Sequence, residues 1–368
     1  MPENYKGALF EDAADLVSKV IGGRSNLILE VPDMSQSNRP ATSASLVTQD
    51  DRRHKLDNSD LARESLFFEV SLPEEHLGIL AYTWVDAAHK AGSIGLVFGE
   101  DDERLGQFSV QGLDVSPAAD FDSWEVGPLT IQHEEAHKTA HVAFEHDEVS
   151  VDFHFEATTP AFSYRDNIGG CPSFFADNRL EQSGSVSGLL KIGQRSITFN
   201  ATGHRDHSWG SRDWTAFHHY KWVCIQAGSS IGINFTQALA LDRLYQWGYV
   251  DRDGEQSPIV SIQAEVDRDA EFYAYTSAEF ILLDELGRTT AVNAGKRSSL
   301  VTYPAGGLLL LDALGDCTVA DNEGVIYFQE GWDPQFIERR KALAPDNKDS
   351  IKAKEFLRAN KDVGAIAN

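Results

Sequence analysis

The sequence contains little cysteine and little positive charge. Its 368 residues include three cysteines, Cys171, Cys224 and Cys317, and 32 lysines and arginines against 57 aspartates and glutamates. Three scattered cysteines exclude a disulfide framework and a CxxC metal site, so we expect them to be reduced. The formal net charge of −25 argues against binding to nucleic acid or an anionic membrane, because both require basic patches.

Long apolar runs are also lacking. No run approaches the roughly 18 residues that a membrane-spanning helix needs. The N-terminus, MPENYKGALFEDAADLV, lacks the basic and apolar regions of a signal peptide. We therefore expect a cytoplasmic protein with no integral membrane segment, and its 42% hydrophobic content is enough for a substantial core.

Motifs for common cofactors and nucleophiles are absent. No G-x-S-x-G elbow, P-loop or G-x-G-x-x-G stretch follows a predicted strand, so no motif supports a hydrolase, nucleotide or dinucleotide function. His133-Glu-Glu-Ala-His137 matches the H-E-x-x-H pattern of zinc peptidases, but it lies between Pro128 and a strand-like run rather than on a long helix. We interpret it as a strand end or hairpin, and we predict no bound metal and no cofactor.

Short segments rich in Val, Ile, Phe, Tyr and Thr dominate the middle of the chain. One series begins near residue 64 and a second near residue 180, with turn sequences such as Asp253-Gly254 between their members. No long helical period interrupts either series, which disfavours a parallel α/β fold. The pattern predicts an all-β protein of antiparallel barrels or sandwiches.

Changes in composition divide the chain into four predicted regions. Helical spacing predicts a short helix over residues 9–21, and the irregular segment 171–182 marks the expected junction between two β-domains. The regions are 1–62, an N-terminal helix and polar loop; 63–175, a first β-domain; 176–335, a second β-domain; and 336–368, a charged helical tail.

The strongest chemical signal is the segment TGHRDHSWGSRDW, which holds two Trp, two Arg, two Asp and two His. If it begins as a strand, alternation puts His204 and Asp206 on one face and Arg205 and His207 on the other. Two interpretations remain open. Arg–Asp pairs could lock a corner of a barrel, or the polar groups could line an aromatic cavity.

Aromatic residues are concentrated in and after this segment. Four of the seven tryptophans fall within residues 209–247, and Gly210 marks a bend among them. This concentration favours a cavity lined by aromatic rings. The candidate substrate-binding residues are Trp209, Trp214, Tyr220, Trp222, Phe235, Trp247 and, at the end of the first strand series, Tyr164.

Two runs resemble the signature of the hydroxyneurosporene synthase (carotenoid 1,2-hydratase) and AttH-like superfamily: Glu181-Gln-Ser-Gly…Gly188 and GHRDHSWGSRDW, which ends at Trp214. Glu64-Ser65 before a Phe-rich strand is similar to the N-terminal half of that family. The resemblance spans residues 60–335 and implies two lipocalin-like barrels side by side, with short helices at the chain ends. It implies less about the reaction, because the superfamily includes polyene hydratases, fungal intramolecular Diels–Alderases and uncharacterised proteins.

These residues favour acid catalysis on a hydrophobic terpenoid or polyene. Hydration, isomerisation or cyclisation of an alkene through a cation needs a proton donor in a dry pocket, and burial among aromatic rings raises the pKa of a carboxyl group. Aromatic faces also stabilise the cation. The candidate acids are Asp206 first, then Asp213 and Glu181. His204 or His207 would position the acid or a water, and Arg205 and Arg212 would order the carboxylates.

Two other functions remain open. An intramolecular Diels–Alder-type cyclase would hold a polyene in a folded shape without acid chemistry. A non-catalytic lipid or terpenoid carrier would need only the cavity. The partner is a hydrophobic small molecule in every case, and the sequence does not define the oligomeric state.

Overall fold

The computed structural model describes residues 46–343 and the short strand at 348–350. The helix expected over residues 9–21 lies outside the described residues. Within them, β-strands dominate and one helix, α1 (Pro334–Leu343), follows the last long strand. The predicted all-β double barrel with a short C-terminal helix is therefore confirmed. No described helix has the length and apolar character needed to cross a membrane.

The first sheet forms a nearly closed antiparallel barrel. Its strands, in spatial order, are β4 (Arg104–Asp114), β3 (Lys90–Phe98), β2 (Leu77–Asp86), β1 (Ala62–Leu72), β11 (Arg195–Ser211), β10 (Asn178–Ile192), β8 (Val149–Ala157), β7 (Thr139–His146), β6 (Leu129–Glu135) and β5 (Trp124–Val126). The two-residue β9 (Phe162–Ser163) also pairs with β10.

The second sheet forms a barrel closed by pairing of β14 with β15. Its strands, in spatial order, are β14 (Arg243–Arg252), β13 (Ile231–Ala240), β12 (Phe217–Ala227), β19 (Asn322–Trp332), β18 (Leu308–Val319), β17 (Thr289–Ala305), β16 (Tyr275–Asp284), β15 (Glu255–Arg268) and β20 (Lys348–Ser350). Each long strand pairs antiparallel with its neighbours, as the hairpin-rich sequence predicts.

The chain changes sheet later than the sequence indicates. The expected division between residues 175 and 176 would assign β10 and β11 to the second domain. Both strands instead belong to the first sheet, because β10 pairs with β8 and β11 pairs with β1. The change of sheet therefore falls between Ser211 and Phe217. The segment 171–182 is the approach to β10 and the beginning of that strand rather than a junction between barrels.

Strand alternation produces three buried clusters rather than two. On β1, Leu66 and Phe68 point into the first barrel, whereas Phe67 points toward the second. On β12, Val223 points into the second barrel and Trp222 points toward the first. The third cluster lies between the barrels and is rich in aromatic rings. The segment 46–61 packs against the first barrel, where Asp51 is buried.

Candidate functional site

A cavity of about 760 Å³ lies between the two barrels, within the aromatic interface cluster. The first barrel contributes residues of β1, β2, β3, β4, β10 and β11, and the second contributes residues of β12, β17, β18 and β19. Because each barrel interior holds its own apolar core, the cavity is between the barrels and not inside one of them. The residues that line it include Arg63, Phe67, Tyr82, Asp206, Arg212 and Trp222.

Strand register places four side chains of the first-barrel wall in one row. Phe67 on β1 pairs with Tyr82 on β2 and with Asp206 on β11, and Asp206 pairs in turn with Glu181 on β10. Since directly paired residues point to the same face of a sheet, all four side chains face the second barrel. The sequence alone could not place them together, because the β1–β2 hairpin and the β10–β11 hairpin are far apart along the chain.

Arg179 and Glu181 form the centre of a buried polar network. Arg179 donates from Nε to Glu181 and from Nη2 to Asp206 Oδ2 at 2.8 Å. Glu181 also accepts from His204 Nε2 at 2.8 Å and from Trp222 Nε1 of the second barrel at 3.0 Å. Burial raises the pKa of Glu181, but Arg179 and His204 outweigh burial and hold it below its usual value. Glu181 is therefore an ionised acceptor and not a proton donor.

Asp206 has the opposite electrostatic behaviour. Burial raises its pKa to about 6, against the lowering effect of Arg179, and the nearby charge of Glu181 adds to the rise. Glu181 and Asp206 thus have different pKa values although both contact Arg179. The reason is that Glu181 accepts hydrogen bonds from three donors, whereas Asp206 accepts from Arg179 alone among the described residues. This separation makes Asp206 the stronger candidate for proton transfer.

Burial also affects His204, which lies on the same face. Its pKa is lowered by burial, although the contact with Glu181 opposes the change. Donation from Nε2 to Glu181 leaves Nδ1 as the acceptor, 3.3 Å from Ser183 Oγ. The neutral ring therefore orients Glu181 and does not reach Asp206 directly.

The far end of the cavity wall carries positive charge. Arg63 lies over the ring of Trp84 at 4.5 Å, and Arg212 donates to Ser65 and Ser208. The Nε atoms of both arginines are buried without a hydrogen-bond partner among the described residues. Burial raises the pKa of Tyr82, but Arg63 and Arg212 outweigh burial and lower it. This end can accept a carbonyl or an anionic group of a ligand.

The opposite wall comes from the second barrel. Tyr220 donates to Gln329 Oε1 at 2.8 Å, and Gln329 donates to Asp312 Oδ1 at 2.7 Å. Tyr327 donates to the same oxygen, and burial raises the pKa of Asp312. Three of the predicted aromatic residues line the cavity: Trp214, Tyr220 and Trp222.

Several sequence-predicted residues lie elsewhere. Arg205, His207 and Trp209 project from the opposite face of β11 into the first barrel. Phe235 packs on Phe280 inside the second barrel. The structure therefore does not bring these four side chains to the cavity, because strand alternation sends them away from it.

Three more predicted residues lie near the cavity without lining it. Asp213 caps the turn that begins at Trp214 and accepts from Thr215 N at 2.9 Å. Tyr164 and Trp247 are buried in the interface cluster, where Tyr164 donates to Asn234 at 3.1 Å. Asp213 is therefore a capping residue, and the two aromatic residues support the wall from behind.

The H-E-x-x-H segment forms the end of β6 and the turn to β7, as a hairpin interpretation predicts. His133 is buried and its Nδ1 lies 3.0 Å from the Asp51 carbonyl oxygen. His137 has a positive φ of 57° in the turn. The two imidazoles do not share one face of a helix, which is what zinc peptidases require.

Sequence reasoning did not identify Arg63, Tyr82 or Arg179. The Arg179-Leu-Glu181 spacing carried a usable signal, because residues two apart share a strand face. Arg63 precedes Glu64-Ser65, which the family resemblance had singled out. Tyr82 carried no signal of its own, since its role depends on the pairing of β2 with β1.

Comparison with known proteins assigns the family. The model of DUF7064, a domain of unknown function, matches residues 48–334. The chain belongs to the DUF7064 family. The match covers both barrels of this DUF7064 protein and most of its described residues. No curated protein matches the sequence.

Solved structures share the fold of this DUF7064 protein. A putative AttH from Nitrosomonas europaea is 12% identical with a TM-score of 0.56, covering 80% of this chain and 98% of that one. CghA bound to Sch210972 is also 12% identical with a TM-score of 0.54, covering 74% of this chain and 88% of that one. CghA without that compound gives the same identity and TM-score. These similarities establish the AttH-like double barrel.

Proposed function

We propose that the inter-barrel cavity binds a hydrophobic terpenoid or polyene and that Asp206 protonates one of its double bonds. The observation that carries this proposal is a buried carboxyl with a pKa of about 6 in the cavity wall. A general acid works best when its pKa lies near the working pH. At pH 7, about a tenth of such groups hold a proton. The enzyme would be a hydratase, isomerase or cyclase that needs no cofactor.

The proton passes from the Asp206 carboxyl to one alkene carbon, where the π electrons form the new C–H bond and leave a cation on the other carbon. The aromatic faces of Phe67, Tyr220 and Trp222 line the cavity and can stabilise this cation. Water addition with loss of a proton gives an alcohol, and loss of a neighbouring proton gives an isomer. Attack by a second double bond closes a ring and moves the cation to another carbon, where loss of a proton or addition of water with loss of a proton gives the neutral product. The Asp206 carboxylate can take back the proton that is released. Arg179 holds the Asp206 carboxylate until it regains a proton.

A second candidate function is cyclisation of a polyene without acid chemistry. It is favoured by the unpartnered Nε donors of Arg63 and Arg212, which can hold a carbonyl or anionic group and fix the folded shape of the chain. CghA has been crystallised with the small molecule Sch210972, which supports a small-molecule ligand for this fold. The superfamily resemblance of the GHRDHSWGSRDW run is compatible with either reaction. A carrier that only binds is the third candidate.

Incubation in D₂O separates these functions. The purified protein is incubated with a panel of acyclic terpenoids and linear polyenes, and the products are analysed by mass spectrometry. Protonation by Asp206 places one deuterium on carbon, cyclisation without acid places none, and a carrier forms no product.

Two variants then test the acid itself. We expect Asp206→Asn to lower turnover by about 10²–10⁴-fold, as for a lost general acid. Asp213→Asn is the control, because the Asp213 side chain does not line the cavity and an asparagine can still cap the turn. Deuterated product formed at an unchanged rate by Asp206→Asn would contradict the assignment.

A further inference from the structure

A second polar cluster lies at the end of the first barrel, on the face of β11 that points away from the cavity. His207 on β11 and Glu64 on β1 are both buried there. His54, from the segment that precedes β1, contacts Glu64 through its ring and through its backbone N–H. The cluster therefore joins the segment before β1 to two central strands of the barrel.

The three side chains present a compact set of ligand atoms. Glu64 Oε1 lies 2.8 Å from His54 Nδ1 and 2.8 Å from His207 Nε2. All three atoms lie within 4.8 Å of one another. Two imidazole nitrogens and one carboxylate oxygen at this spacing are a common ligand set for Zn²⁺ and other divalent transition metals.

In contrast to the prediction of no bound metal from the sequence, we propose that His54, Glu64 and His207 bind a divalent transition-metal ion, with Zn²⁺ as the representative case. Three protein ligands leave a fourth position for water. Only His54 of the three has appreciable exposure, with 17% of its side chain accessible, so the ion enters from its side. Because β11 separates this site from Asp206, the role of the metal is to fasten the segment before β1 to the barrel.

The surroundings of the ligands support this assignment. The His54 ring is stacked on Trp209 with centroids 3.7 Å apart and planes 8° apart, which fixes its orientation. His207 Nδ1 is buried without a hydrogen-bond partner among the described residues and lies 3.8 Å from Asp51 Oδ1. A metal-bound histidine commonly donates its second N–H to a carboxylate. A small shift of His207 would give it that partner.

Asp51 is itself held in place for this role. Arg205 donates to both of its carboxylate oxygens, at 2.9 and 3.1 Å. The backbone N–H of His137 donates to Asp51 Oδ2 at 2.7 Å. The Asp51 carboxylate is thus held near Nδ1 of His207, whereas Glu64 lies at Nε2. This is the position expected for a carboxylate that orients a metal-bound histidine.

The test uses the full chain, treated with a chelator and then titrated with Zn²⁺ alone. We expect isothermal titration to give one high-affinity equivalent per chain, and Zn²⁺ to raise the melting temperature by mass action. Co²⁺ in place of Zn²⁺ should give the visible absorption of a low-symmetry N/O site. We expect His54→Ala to weaken Zn²⁺ binding at least about 100-fold, since even outer partners change metal affinity by 10–100-fold.

The control is a surface histidine pair that could bind Zn²⁺ adventitiously. His141 and His154 are stacked with centroids 4.4 Å apart, and His141 lies 3.0 Å from Asp152. We expect His154→Gln to retain both the stoichiometric binding and the rise in melting temperature.

His54→Ala removes a partly exposed side chain, and its circular dichroism spectrum would verify the fold. Failure of the wild-type chain to bind one equivalent would overturn the proposal and leave a hydrogen-bonded triad. The proposal would also be overturned if His154→Gln lost Zn²⁺ binding while His54→Ala retained it.

Discussion

At the scale of single residues, Asp206 and Glu181 share Arg179 but have different roles. Glu181 accepts hydrogen bonds from three donors and its pKa is lowered, so its charge stabilises the folded state. Asp206 has a raised pKa, so its charge is costly in the folded state. The sequence ranked both as candidate acids because composition and spacing carry no information about how many donors each carboxyl receives.

The first prediction concerns Glu181. We expect Glu181→Gln to lower the free energy of unfolding by about 3–5 kcal/mol, because it removes the charge from a buried ion pair and leaves Arg179 partly uncompensated. Asp206→Asn should be milder, since Arg179 keeps its bond to Glu181. Urea denaturation at pH 7 measures both. Equal losses in the two variants would contradict the division of roles.

The second prediction is the pH dependence of Asp206→Asn. Between about pH 4 and 6 the folded protein holds a proton on Asp206 that the unfolded chain has lost, so this residue makes stability fall as the pH rises through that window. An asparagine cannot ionise. We therefore expect the melting temperature of Asp206→Asn to rise relative to wild type from pH 4 to pH 7, with Asp213→Asn as the baseline. A difference that stays flat or falls would show that the pKa of Asp206 is not raised.

At the scale of elements, β11 explains both what the sequence predicted and what it could not. Period-two alternation correctly separates Asp206 and His204 from Arg205 and His207. It does not tell which face meets the second barrel, because that depends on pairing with β1, far away in the sequence, and on packing against the second barrel. For the same reason the aromatic residues Trp209 and Phe235 could not be separated from Trp222 and Tyr220. The all-β class was predictable because it depends only on local pattern.

The third prediction concerns the bend at the end of β11. Gly210 has a φ of +108°, and a Cβ there would lie 2.5 Å from the backbone N of Asp177. We expect Gly210→Ala to lower the free energy of unfolding by about 1–3 kcal/mol or more, through backbone strain and the clash.

The matched control for this bend is Gly112→Ala. Gly112 also has a positive φ, of 72°, but its Cβ would meet nothing within 4 Å. We expect the smaller loss there, measured by thermal denaturation. If Gly112→Ala lowered the stability more than Gly210→Ala, crowding at the Gly210 bend would not explain the stability loss of Gly210→Ala.

At the scale of the whole molecule, the two barrels are joined by a buried interface that is both aromatic and polar. Trp222 of the second barrel donates to Glu181 of the first, and Tyr249 of the second lies 3.1 Å from Ser183 of the first. Gln226 donates to the backbone oxygen of Gly203 at 2.7 Å. Separating the barrels would expose aromatic rings and leave buried polar groups unpaired.

The fourth prediction follows from this interface: the two barrels unfold together. We expect calorimetry to show one transition, with van't Hoff and calorimetric enthalpies in agreement. Trp222→Ala should lower the free energy of unfolding by about 3–5 kcal/mol, because it removes a buried aromatic ring and one donor to Glu181. This substitution should move the whole transition to lower temperature rather than split it, since Trp222 lies in the interface that both barrels share. Two resolved transitions in the wild-type protein would show that each barrel is stable alone, and that the interface with its cavity forms by docking of folded domains.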